Sequence, residues 1–340
     1  MSFDFFAVFS SAPFVIAAVL AVQWVVDTVF PFDAGKARPL LWQMAERGVL
    51  VFVGLLNNGG KGAVTQLLRG IVLLLFLLAG GFILGGVWSF VTALLMFAQG
   101  AVLFVCFYIC LGFTRLHKIH SHLLERLGET PPERAEVVRL FACLGIPVPR
   151  ISKEMSPYIK AAAVSAGYYM NILLTGPLFW FWLAGLYGMF SYVLVMAALI
   201  VLPRQGDSLF TLPLRLAAQL MDLLPGLITA ALLYAAAFAA FRVPPRAALA
   251  DLRQDPLPLL TNGLLAVTAV MASAAGVILG ETAPHWYIGA KAAETVLGEE
   301  AADAEGVAQP EALRAALRLA AVFHLLLLIA VAAFSIKFAV

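Results

Sequence analysis

Charge is scarce in this chain. Only 12% of its 340 residues are Asp, Glu, Lys or Arg, about half the rough quarter that a soluble domain carries, while 62% are hydrophobic. Such a chain cannot clothe a globular surface with solvated groups, so a soluble domain is excluded and an integral membrane protein is expected. The net charge of +2 reflects basic loops rather than a basic face, so no nucleic-acid partner is expected. Cysteine is scarce as well. Three cysteines cannot all pair with one another, and Cys106 and Cys110 lie one helical turn apart in an apolar run, so they read as packed thiols rather than a disulfide framework. No internal repeat is visible, which disfavours a transporter built from paired halves. The first apolar run, Phe5 to Phe30, has no basic region before it and no small-residue cleavage site after it, and is expected to stay in the membrane.

Long apolar runs are what the chain has in abundance. Ile71 to Trp88 and Phe90 to Phe113 are uncharged, each about long enough for the ~30 Å hydrocarbon layer, and predict a tight hairpin. From Thr114 to Lys160 the chain turns polar. There "TRLHKIHSHLLERLG" sets Leu116, Ile119, Leu123, Leu124 and Leu127 on one helix face, and "TPPERAEVVRLFACLG" carries the start and stop signals of a second short helix. Residues 114–157 are therefore expected to form a small extramembrane helical layer on the cytoplasmic side, where their many Arg and Lys residues belong. Two further blocks, Tyr158 to Pro203 and Leu209 to Phe241, are predicted to break at Gly176-Pro177 and at Pro225-Gly226, because proline removes a helix hydrogen bond that hydrocarbon cannot replace. Leu259 to Leu279, a polar loop at 281–312 expected outside, and a final helix from Glu311 to Ala339 complete one domain over 1–340. The expected fold is an all-α polytopic membrane bundle with broken helices and five to eight crossings.

Four constellations offer chemistry. His117, His120 and His122 in "HKIHSH" have a spacing that a metal can use, but a basic helix near a membrane surface explains them as well, since no Cys or suitably placed Glu completes a site. "GLLNNGGKGAVT" departs from a phosphate loop, with Lys61 displaced by one residue and Gly62 at the hydroxyl position. Among Asp27, Asn171 and Asp222, the last is the strongest candidate: a carboxylate at mid-membrane depth is costly and persists where something uses it, and Asp222 stands three residues before Pro225. Asp27 lies near a segment end, where charge is cheap. "AAGVILGETAPHWYIG" reads by itself as an aromatic membrane boundary around Tyr287.

The order of "GPLFW" (Gly176 to Trp180), of Gly185, Gly188 and Tyr192, of Pro225 in "MDLLPGLITA", of "AGVILGETAPHWYIG" and of "QPEALRAALRL" resembles the CobD/CbiB membrane family and its relative AmpE. The former are adenosylcobinamide-phosphate synthases of cobalamin biosynthesis, which join a corrinoid carboxylate to an aminopropanol phosphate with ATP and magnesium. With the intramembrane Asn171, the resemblance makes Tyr168, Tyr169, Tyr192, Asp222, Asp27 and Tyr287 the candidate site positions. It also shows what is missing. The family's acidic stripe falls on Val164, Tyr168 and Ile172, its Asn on Tyr169, a later Lys, Asn and Asp on Val193, Met196 and Leu199, and its paired acids on Ala218 and Gln219. Hydrophobic side chains neither ligate magnesium nor stabilise phosphoryl charge. The expectation is a divergent AmpE-like protein of a bacterial inner membrane that binds, senses or regulates. It would carry no cofactor and engage a partner protein or a second copy. The alternative is the synthase itself, with Mg, ATP and a corrinoid substrate.

Overall fold

The computed structural model describes residues 12–29, 39–56, 62–95, 98–128, 156–202, 209–241, 263–275 and 310–339, together with Val137 and Leu140. Every regular element among them is helical. In chain order these are α1 (Ala12–Val29), α2 (Leu40–Leu56), α3 (Ala63–Leu94), α4 (Gln99–Cys110), α5 (Phe113–Gly128), α6 (Ser156–Met170), a π-helical turn (Asn171–Thr175), α7 (Gly176–Val201), α8 (Leu212–Phe241), α9 (Gly263–Ala275) and α10 (Pro310–Ala339). Three segments are long and apolar enough to cross a membrane: Ala63–Leu94, Ser165–Val201 and Leu212–Ala240. The protein is an all-α membrane bundle.

The hairpin expected at Ser89 is not where the chain turns. Trp88-Ser89-Phe90 contains nothing that ends a helix, and α3 runs unbroken for 32 residues, about 48 Å. Its stop comes at Leu95, and the following α4 has only 12 residues, about 18 Å, less than the hydrocarbon thickness. The C-terminal end of α4 is instead tied to its neighbours. Gln23 of α1 donates to the Leu111 carbonyl at 2.7 Å, and the Trp42 indole of α2 donates to that of Cys110 at 2.8 Å. Cys106 and Cys110 are free, buried thiols.

Burial ranks the three apolar segments. Of the most apolar stretch in each, 78% is buried for Ser165–Val201, against 39% for Leu212–Ala240 and 28% for Ala63–Leu94. The first is the hub on which the others pack, but it is not one straight rod. Ala184 (φ −136°, ψ 19°) and Gly185 (φ 62°, ψ −152°) leave the helical region, and Gly185 occupies a conformation that is essentially glycine-only. There α7 doubles back. A Cβ on Gly188 would lie 2.6 Å from the Trp180 carbonyl oxygen and 2.8 Å from the Ala184 Cβ, and one on Gly176 would strike the Tyr192 ring. Residues sixteen apart on a straight helix stand about 24 Å from each other; here they touch.

Helix α3 lies along the returning arm, residues 186–201, with its glycines at the contact. A Cβ on Gly85 would come within 2.5 Å of the Tyr187 Cα, and one on Gly81 would strike Ser191. This Gly-x-x-x-Gly spacing lets two backbones approach, as small residues do between membrane helices. Helix α9 crosses α8 in the same manner, Gly263 against Gly226. Helix α5 presents Ile119 and Leu123, both fully buried, on the apolar face its sequence defines. The described part of the polar layer packs through α5 against α6 and α10.

Candidate functional site

The turn in α7 and the π turn before it bring polar groups from distant positions onto one carboxylate. Asp222 of α8 is 1% exposed. Its Oδ1 accepts a hydrogen bond from Asn171 Nδ2 at 2.6 Å and another from the Tyr192 hydroxyl at 2.8 Å. Asn171 opens the π turn, and Tyr192 sits on the returning arm of α7, so the two donors reach Asp222 from opposite arms of the folded-back segment. On its other side the Asn171 side-chain amide oxygen, Oδ1, lies 2.8 Å from the Thr229 hydroxyl, which is equally close to the Pro225 backbone carbonyl and can donate to one of them at a time. Asn171, Tyr192 and Thr229 are all fully buried.

Local chain chemistry explains why these groups converge. Pro177 brings no N–H to the helix, and the turn preceding it widens: the Gly176 N–H reaches back five residues to the Asn171 carbonyl. The widened turn carries the Asn171 side chain toward α8. The sequence predicts a break at Gly176-Pro177. Instead the chain stays helical through the π turn and bends nine residues later at Ala184-Gly185. The second predicted break, at Pro225, likewise stays inside α8. Pro225 deprives the Met221 carbonyl of its intrahelical donor, and the Trp180 indole N–H supplies one at 2.8 Å. Trp180 is the last residue of "GPLFW", so that motif and the Pro225 motif meet in a single hydrogen bond.

Tyr168 and Tyr169 are buried beside this cluster, at 2% and 1% exposure, with their rings in an edge-to-face contact at 5.0 Å. Tyr168 is close enough to Tyr192 to interact with it electrostatically. The Thr175 hydroxyl on the π turn is buried and finds no hydrogen-bond partner among the described residues. The structure thus unites Asp222, Asn171, Tyr192, Tyr168 and Tyr169 of the positions singled out in the sequence. The other two lie outside what it describes. Asp27 falls in the last turn of α1, its side chain outside the described residues, and Tyr287 with most of the polar loop at 281–312 lies wholly outside them.

Thr229 escapes the sequence reading, although Asp222, Pro225, Gly226 and Thr229 recur at spacings of three and four that define one helix face. Trp180 was legible only as a landmark.

The three histidines of α5 diverge. His120 Nε2 lies 2.7 Å from the Ser165 hydroxyl of α6, both groups buried, while His122 pairs with Glu125 on the exposed face at 3.2 Å. His117 is held below its ordinary pKa by burial, and His324 of α10 is near enough to interact with it. Among the described residues no three His, Cys, Asp or Glu side chains are grouped to hold a metal ion. Set against protein-family descriptions, curated proteins and solved structures, the chain matches none.

What the Asp222 cluster can do follows from its composition. One carboxylate, one amide, one phenol and one hydroxyl supply binding and orientation of a small polar ligand. Among the described residues one carboxylate with an amide and a phenol donating to it is a poor cage for magnesium bridging phosphates, which draws on several oxygen donors and on cationic side chains that neutralise phosphate.

Proposed function

We propose that this chain is a non-catalytic, divergent relative of the CobD/CbiB and AmpE membrane proteins, and that it binds or senses within a bacterial inner membrane. One observation carries the reading: a single buried carboxylate, Asp222, is held by the neutral donors Asn171 and Tyr192 rather than set among further acids. Tyr168 and Ile172 occupy two positions of the family's acidic stripe, and both are buried in apolar packing. The retained landmarks have structural work in this chain: Pro177 widens the turn, Gly185 reverses it, and Trp180 caps the Met221 carbonyl. A scaffold kept for its shape while its acids are replaced suits a protein that signals to a partner protein or to a second copy, with no cofactor of its own.

Growth of a strain lacking its own adenosylcobinamide-phosphate synthase tests this directly. The chain, shown by immunoblot to reach the membrane, is expected to leave corrinoid-dependent growth unrestored. Restored growth would overturn the reading in favour of the synthase.

A further inference from the structure

We propose that Asp222 is a reversible proton-binding site and that the proton is the ligand this membrane bundle senses. The inference rests on the non-catalytic reading above and supplies its ligand. Asp222 is the only carboxylate in the three apolar segments long enough to cross a membrane. It stands ten residues into α8, about 15 Å from its start and so near the middle of the ~30 Å hydrocarbon layer if α8 spans it. An ionised carboxylate at this depth costs several kcal/mol, and taking up a proton removes that cost.

Asn171 and Tyr192 are neutral hydrogen-bond donors, and they converge on the same oxygen, Oδ1, from the π turn and from the returning arm of α7. Both bonds are charge-assisted while Asp222 is ionised and about half as strong once it is neutral. Uptake of one proton from water forms one O–H bond on the carboxylate, breaks none within the protein and moves no electron. Its consequence is mechanical: the tie joining α8 to both arms of the folded-back segment loosens. Trp180, bonded to the residue preceding Asp222, stands where that loosening is felt.

The titratable neighbours are few. Tyr192 faces the cluster from α7, Tyr168 and Tyr169 are buried beside it on α6, and α9 contributes no titratable side chain. On α8 the next charge is Arg215, two turns away; α3 brings Arg69, beside the Gly70 contact with Phe210, and α10 brings Arg314, Arg318 and His324.

Infrared difference spectra of the full chain in lipid nanodiscs, taken between about pH 4 and about pH 9 with and without sodium, test the assignment. A carboxyl C=O stretching band is expected to rise on acidification, to be missing in Asp222→Asn, and to titrate at a different pH in Tyr192→Phe. Circular dichroism verifies the helical content of each variant. An Asp222→Asn spectrum identical to the parent's would overturn the proposal, as would a parent band that ignores pH or follows sodium instead. Should Asp222→Asn fail to fold, an unmoved titration in Tyr192→Phe overturns it equally. Loss of this proposal would leave the non-catalytic reading standing, whereas restored corrinoid-dependent growth would remove that reading without touching the band.

Discussion

Trp180 and Pro225 show how two residues far apart in sequence repair each other. Proline leaves the Met221 carbonyl without its helical donor, and the indole of Trp180 replaces that donor from another segment. Trp180→Phe keeps the ring's apolar bulk and removes the donor, so it should destabilise the protein by roughly 1–3 kcal/mol. Pro225→Ala returns an N–H to the helix, and in that background Trp180→Phe should cost much less. Thermal unfolding of the four detergent-solubilised proteins closes the cycle; strictly additive costs would show that Trp180 does not serve the carbonyl that Pro225 orphans. Both residues were visible in the sequence, one as part of "GPLFW" and one as a helix breaker. Their pairing was not, because no local pattern says which distant donor will answer an orphaned carbonyl. The same holds for Asp222, whose cost at mid-membrane depth is legible from sequence alone while its partners Asn171 and Tyr192 become partners only when the chain folds back.

At the level of the element, the segment from Ser165 to Val201 decides the architecture. Its apolar length is evident from composition, yet the place where it turns is governed by Gly185 rather than by Gly176-Pro177. Proline at a helix start is tolerated, and a π turn absorbs the missing hydrogen bond. Gly185 has open space around its missing Cβ, so the demand for glycine there comes entirely from the backbone dihedrals. Gly185→Ala should therefore cost roughly 1–3 kcal/mol through φ and ψ alone. A stability unchanged within error in thermal unfolding would mean that the arm turns by some other geometry. The spacing of Gly185, Gly188 and Tyr192, noted in the sequence as a motif, acquires three separate physical reasons: a reversal, a close approach to the Trp180 carbonyl, and a hydrogen bond to Asp222. Helix α3 shows the opposite failure. A span of about twenty residues ends one crossing at Trp88 and opens the next at Phe90, yet Ser89 does not end a helix and α3 runs on to Leu94.

For the molecule as a whole, the membrane follows from 12% charge and the helices from apolar runs of about twenty residues, too long for single barrel strands. Helix packing completes what composition starts: glycine contacts draw α3 onto the returning arm and α9 onto α8, and Asp222 is buried within the bundle. The bundle thus has a rigid frame of close glycine crossings around one polar centre that joins three chain segments. If the proposed function resides in this centre, Asp222 is indispensable to it. In the native host, a strain deleted for this chain is supplied with Asp222→Ala, its membrane level matched to the parent's by quantitative immunoblot. The variant is expected to be present in the membrane yet fail to restore what the deletion abolishes; full restoration at parental level would leave Asp222 a purely structural residue and remove the proposed role.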